Sequence, residues 1–221
     1  MNPEMTQRII EKATSLEASL AGVVRVSDLK NSPSHIHGEI AHWPSHSHSV
    51  LVLAVAHPRT SPELDWWDTL PGGTPGNRQL MTIAKHLTIW LDQEFGLHAH
   101  DLPYQIAQGG VFLKDAAALA GLGVIGKNNL LITPKFGIQV RLRALLIEAD
   151  LVTSSSLSFA PCAECDMPCL RVCPQNALDD DGYKRSACRV QMTIDEANPV
   201  KIENGTVIKY CRRCELACPV A

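Results

Sequence analysis

No cysteine occurs in the first 161 of the 221 residues, so that stretch offers no thiol for disulfide, metal or nucleophilic chemistry. Long apolar runs are also missing. The longest, residues 50–56, is far too short to span a bilayer. The N-terminus lacks a basic patch followed by an apolar stretch and a cleavage site, so a soluble, cytoplasmic chain with no membrane partner is expected. Positive charge is not in excess either. Twenty Lys and Arg against 23 Asp and Glu give a net charge of −3, which excludes the global basic field that non-specific nucleic-acid binding relies on. Nucleic acid is therefore not expected as a partner. What remains, 45% apolar and 19% charged, is neither disordered nor fibrous and suffices for one or two compact domains with a sizeable core.

All eight cysteines fall in the last 60 residues. A secreted disulfide scaffold would spread them through a small chain, whereas tight Cys-x-x-Cys spacings in a cytosolic chain point to metal. The first run is Cys162, Cys165, Cys169 and Cys173 followed by Pro174; the second is Cys211, Cys214 and Cys218 followed by Pro219, with Cys188 between. Both close on Cys-x-x-x-Cys-Pro, the ending of bacterial two-cluster ferredoxins, where the last cysteine of a run ligates the other cluster. That pattern assigns Cys162, Cys165, Cys169 and Cys218 to one 4Fe-4S cluster, and Cys173, Cys188, Cys211 and Cys214 to the other. Soft thiolates suit an iron-sulfur core. One departure is the second gap of the first run, where Asp166, Met167 and Pro168 stand in place of the usual two residues. The competing reading is a pair of four-cysteine zinc sites.

The two parts are expected to divide as residues 1–155 and 156–221, joined by a polar stretch at 153–158. Apolar spacing in 4–20 predicts an amphipathic helix, and the run at 49–57, apolar on both faces and β-branched, predicts a central strand under helices. A long turn-rich loop with Trp66 and Trp67 follows at 58–77. Helices are expected over 78–95 and 113–122, each ended by glycine, and strands over 130–133 and 140–151, the latter alternating Arg141 and Arg143 with apolar residues. The fold class is α+β. Asn204-Gly205 reads as a hairpin turn.

A ferredoxin needs no large partner, so the first part is expected to hold a centre that the clusters feed. Its strongest motif is the segment with Gly121, Gly123, Gly126, Lys127, Asn128, Asn129 and Leu130. The glycines end a helix and permit close approach of backbone to a ligand, while Lys127 and the two Asn supply donors for carboxamides or phosphate. Following a helix rather than a strand, the segment is not a dinucleotide fingerprint, and it has no Walker-type phosphate loop.

That segment, followed by the two-cluster cysteine pattern, resembles the cobalamin-dependent iron-sulfur reductases, namely epoxyqueuosine reductase and the reductive dehalogenases, over roughly residues 104–218. The resemblance implies a nitroreductase-like α/β corrinoid domain before a ferredoxin-like domain, and a cobalamin held near residues 121–130 beside one cluster. It implies a low-potential donor such as ferredoxin or flavodoxin, and a small-molecule substrate or a corrinoid protein as the acceptor. Epoxyqueuosine reductases carry a proton-donating Asp about fourteen residues before the first glycine; counting back from Gly121 reaches Ala107, so a tRNA-modifying role is not expected. Tyr104 is the candidate catalytic proton donor. Two other classes stay open: an electron carrier that reactivates a corrinoid for a partner, and a ferredoxin fused to a flavin-binding nitroreductase-like domain. The histidines at 35, 37, 42, 46, 48 and 57 read as loop or core residues before metal ligands.

Overall fold

The computed structural model describes residues 3–36, 43–44, 46–155 and 157–220. An amphipathic helix α1 (Pro3–Ser15) leads into β1 (Leu20–Arg25) and two short helices, α2 (Val26–Lys30) and α3 (Pro33–Ile36). Then come β2 (Ser49–Ala56), a 3-10 turn at Pro62–Asp65, α4 (Pro75–Phe95), β3 (Ala99–Asp101) and α5 (Leu113–Leu119). The hairpin of β4 (Val124–Ile125) and β5 (Leu131–Ile132) precedes β6 (Val140–Ile147). One sheet in the order β1-β2-β6-β3, antiparallel at every pairing, organises this part.

β2 is buried along both faces because helices cover both. Successive side chains of a strand point to opposite faces. Val50, Val52 and Ala54 therefore meet the α2 and α5 side, where Leu29, Ala116, Ala117 and Ala120 pack. Leu51, Leu53 and Val55 meet the α1 and α4 side, against Ile9, Leu80, Leu87 and Leu91. Local signals set the ends of α4. Thr74 caps its start by accepting the Asn77 N–H at 3.1 Å, and Gly96, at φ 64°, turns the chain out of it.

The cysteine-rich part is built from short pieces: α6 (Pro168–Arg171), β7 (Leu178–Asp179) with β8 (Gly182–Tyr183), α7 (Arg185–Ala197), the hairpin of β9 (Val200–Ile202) and β10 (Gly205–Val207), and α8 (Arg213–Leu216). α7 carries no buried residue. The loop with the tryptophan pair reaches across to this part. Trp67 and Ile208 exchange both backbone hydrogen bonds, at 3.0 and 2.7 Å, and the Trp67 ring meets Tyr210 edge-on at 6.2 Å. Among the described residues no helix is long and apolar enough to cross a membrane.

Leu53 is fully buried between β2 and the helices α1 and α4. Leu53→Ala is expected to destabilise the chain by about 3 kcal/mol in urea denaturation, while Ile194→Ala on the exposed side of α7 should change it by under about 0.5 kcal/mol.

Candidate metal centre

The eight thiols are free and fall into two groups. Cys162 and Cys165 sit in the turn before α6, Cys169 within it, and Cys218 just past α8. Burial pushes the Cys169 and Cys218 thiols above the ordinary range, and Cys162 and Cys165 push both further. A cavity is lined by these four sulfurs together with Met167, Pro168, Asn128 and Ile132. In the second group the Cys214 thiol is pushed up to about 12, by burial first and then by Cys211, Cys173 and Cys188. Each run thus lends its last cysteine to the other run's group.

Backbone donors point at two of the sulfurs. The Met167 N–H lies 3.4 Å from the Cys165 sulfur and the Ala177 N–H 3.2 Å from that of Cys173. Met167 takes up the extra residue of the second gap in the left-handed region, at φ 51°. Among the described residues no three His, Cys, Asp or Glu side chains converge closely enough to share one ion.

The segment 121–130 lies against both groups. Asn128 is buried; its Oδ1 accepts the Leu130 N–H at 3.2 Å, its Nδ2 reaches the Cys214 carbonyl at 3.5 Å, and its side chain also lines the cavity of the first group. Asn129 turns the chain at φ 57° and its carbonyl accepts from Lys114 Nζ at 2.6 Å. The three glycines have a steric reason within the fold. A Cβ at Gly121 would stand 2.2 Å from the Ser155 carbonyl oxygen, one at Gly123 2.3 Å from that of Ile132, and one at Gly126 2.5 Å from the Ile132 side chain. The close approach they permit here is to the chain itself. Ile125 and Lys127 are exposed at the tip and Leu130 is half-buried behind them.

Other sequence candidates are not gathered here. Tyr104 is 69% exposed in the loop after β3, and among the described residues no hydrogen bond or ring contact ties it to the cysteines. His35 is a core residue, bonded to the Ser32 hydroxyl at 2.8 Å and edge-on to Phe112. His57 is fully buried, His46 and His48 are exposed, and His37 and His42 lie outside the described residues.

Sequence reasoning missed an ion network between the two parts. Asp65 receives Arg141 Nε at 2.6 Å and Arg212 Nη1 at 2.5 Å, and its Oδ1 lies 2.7 Å from His57 Nδ1. Glu215, beside Cys214 on α8, receives both Arg212 and Arg141. The charged alternation in β6 was the available signal. Nothing local, however, could pair Arg141 with acids 76 positions before it and 74 after it.

No known family profile matches the chain. It is 33% identical over 109 residues to an epoxyqueuosine reductase of Lactococcus garvieae, covering 47% of this chain and 30% of that protein. In fold it is similar over 98% of its length to an epoxyqueuosine reductase solved with a tRNA-Tyr stem loop, with a TM-score of 0.71, 17% identity and 65% of that chain covered. It is likewise similar to a catabolic reductive dehalogenase solved with 3-bromo-4-hydroxybenzoic acid, with a TM-score of 0.69, 18% identity and 32% of that chain covered. The chain resembles the cobalamin-dependent iron-sulfur reductases in both sequence and fold. It spans less than a third of the curated relative it matches. The tRNA stem loop held by the solved relative stands against the expectation that net charge excludes nucleic acid. A net charge averages over the surface and does not describe a local patch.

Burial pushes the Asp65 carboxyl up, but the His57 hydrogen bond and the charges of Arg141 and Arg212 outweigh it and hold the group below the ordinary carboxylate range. A depressed folded pKa contributes stability above the unfolded value, near pH 4, and loses it as pH falls through the folded value. Asp65→Asn is therefore expected to be less stable than the parent at pH 7, with the difference closing below about pH 4 in urea denaturation series. A gap that stays constant down to pH 3 would count against this network.

Proposed function

We propose that the chain is a cobalamin-binding iron-sulfur reductase in which two 4Fe-4S clusters pass electrons to a corrinoid that reduces a small substrate. The observation that carries this reading is the crossed grouping of the eight thiols, four and four, against a segment whose Asn128 touches both groups. Cys162, Cys165, Cys169 and Cys218 hold one cluster; Cys173, Cys188, Cys211 and Cys214 hold the other. The last 60 residues, with an unburied α7, have too little apolar surface for a core of their own, and metal ligation supplies what burial does not.

The first part, residues 1–155, provides the corrinoid side in a nitroreductase-like arrangement, and residues 156–221 form the ferredoxin-like side. The glycines at 121, 123 and 126 fold the segment tightly on itself, which leaves its tip free to meet a cofactor. There Lys127 and Asn129 offer donors to the carboxamides and phosphate of a corrinoid, while Ile125 and Leu130 offer apolar contact. When bound, the corrinoid supplies a cobalt centre able to take and give single electrons. Asn128 fixes the spacing between that tip and both cysteine groups through its bonds to Leu130 and Cys214. Tyr104 would be the proton donor to the substrate in this reading, supported only by its being open to solvent. The electrons come from a low-potential ferredoxin or flavodoxin.

Anaerobic reconstitution followed by iron and cobalt analysis and an absorption spectrum with and without cobalamin tests this. About eight irons are expected with a broad band near 400 nm, and added cobalamin should shift to its base-off form. Cys218→Ala should leave about four irons, because it removes a ligand from one cluster only. Iron without any cobalamin shift would favour an electron carrier or a flavoprotein, and zinc in place of iron would overturn the redox reading.

A further inference from the structure

A cavity of about 490 Å³ opens at the end of the sheet where Arg25 of β1 pairs with Ser49 of β2, between α2, the chain entering β2 and the chain leaving β6. Arg141, which joins the cysteine-rich part, pairs with Val55 toward the other end of β2, six residues on and so about 20 Å along the strand. The cavity is therefore separate from the cysteine groups. Its walls are held by the core and the strands. Val26 and Leu29 of α2 are buried against the sheet, while Ser27 and Lys30 are exposed on the cavity side. The His48 N–H donates to the Ile147 carbonyl at 3.2 Å, and the His48 carbonyl accepts the Val26 N–H at 3.0 Å.

Two cations, Arg25 and Lys30, and one carboxylate, Asp150, line this space. Ser47 lines it as well. That residue is only 8% exposed, and among the described residues its hydroxyl has no hydrogen-bond partner. A buried hydroxyl left unpaired is costly, and an oxygen of a bound molecule would satisfy it. We propose that the cavity binds a small sugar phosphate, its phosphate held by Arg25, Lys30 and the Ser47 hydroxyl and its sugar hydroxyls donating to Asp150. Guanidinium and ammonium groups are the usual partners of a phosphate. A carboxylate beside them repels a bare phosphate, so Asp150 fits a ligand that carries hydroxyl donors next to its charge. No Trp, Tyr or Phe is among the described residues lining the cavity, which leaves no face for stacking a base and favours a sugar over a nucleotide. The volume lies in the range of small-molecule sites. Binding forms and breaks no covalent bond, and the site stands whether or not the cysteines hold clusters.

Isothermal titration calorimetry of the full chain with ribose 5-phosphate, ribose and inorganic phosphate tests this. Ribose 5-phosphate should bind about ten-fold more tightly than either fragment, because each fragment leaves one half of the site unpaired. Lys30→Gln, on an exposed position, should weaken it about ten-fold and Ser47→Ala about three-fold. Lys85→Gln, an equally exposed lysine on α4 at the other face of the sheet, should leave it unchanged. Absence of binding by ribose 5-phosphate, or a Lys30→Gln protein that binds as the parent does, would overturn the proposal. Inorganic phosphate binding as tightly as ribose 5-phosphate would overturn the sugar assignment and with it the role of Asp150. A short single-stranded RNA that binds more tightly than ribose 5-phosphate, with the same loss in Lys30→Gln, would overturn it in favour of a polynucleotide backbone.

Discussion

The cysteine-rich part has to be held by something other than a hydrophobic core. Its last 60 residues contain eight thiols, and among the described residues its buried apolar side chains amount to little more than Ala177, Leu178 and Val207. Burial at about 25 cal/mol per Å² cannot offset the ordering of so many residues from so little area. Two devices fill the gap. One is the gathering of the sulfurs into two groups, which turns ligand binding into folding free energy. The other is the charged seam at which Asp65, Arg141, Arg212 and Glu215 join the parts, backed by the Trp67 and Ile208 backbone pairing.

Both devices serve position as much as stability. The seam anchors α8, and α8 carries Cys214 with Cys218 just past it, so the ion network decides where those sulfurs stand relative to the sheet. The segment 121–130 grows out of α5, whose alanines press on the opposite face of the same sheet. Asn128 brings that segment onto the cysteine groups, reaching the Cys214 carbonyl at 3.5 Å and lining the cavity beside Cys162, Cys165, Cys169 and Cys218. Buried ion pairs gain little net stability over apolar packing, and their better-attested use is to specify one arrangement. That suits a seam that must hold two parts of the chain in one register.

Much of this could be read along the chain. The both-face burial of β2, the end of α4 at Gly96, and the hairpin at Asn204 follow from local periodicity and turn chemistry, which act over a few residues, whereas α4 starts at Pro75, three residues before the expected start. The glycines at 121, 123 and 126 show the limit of the same reasoning. Their spacing is visible in the sequence, but that Ser155 and Ile132 crowd them is visible only in the fold.

Sequence by itself determined the element types, the central place of β2 and where the soft thiol side chains cluster along the chain, because each depends on periodicity, capping or side-chain chemistry confined to neighbours in the chain. Tertiary structure alone decided what Arg141 pairs with, that Trp67 clasps Ile208, that Tyr104 stands in solvent, and that Lys114 reaches the Asn129 carbonyl. Those relations join residues well separated in the chain. No local propensity carries them, since their free energy exists only once the sheet, the helices and the cysteine groups have brought the partners within a few ångströms.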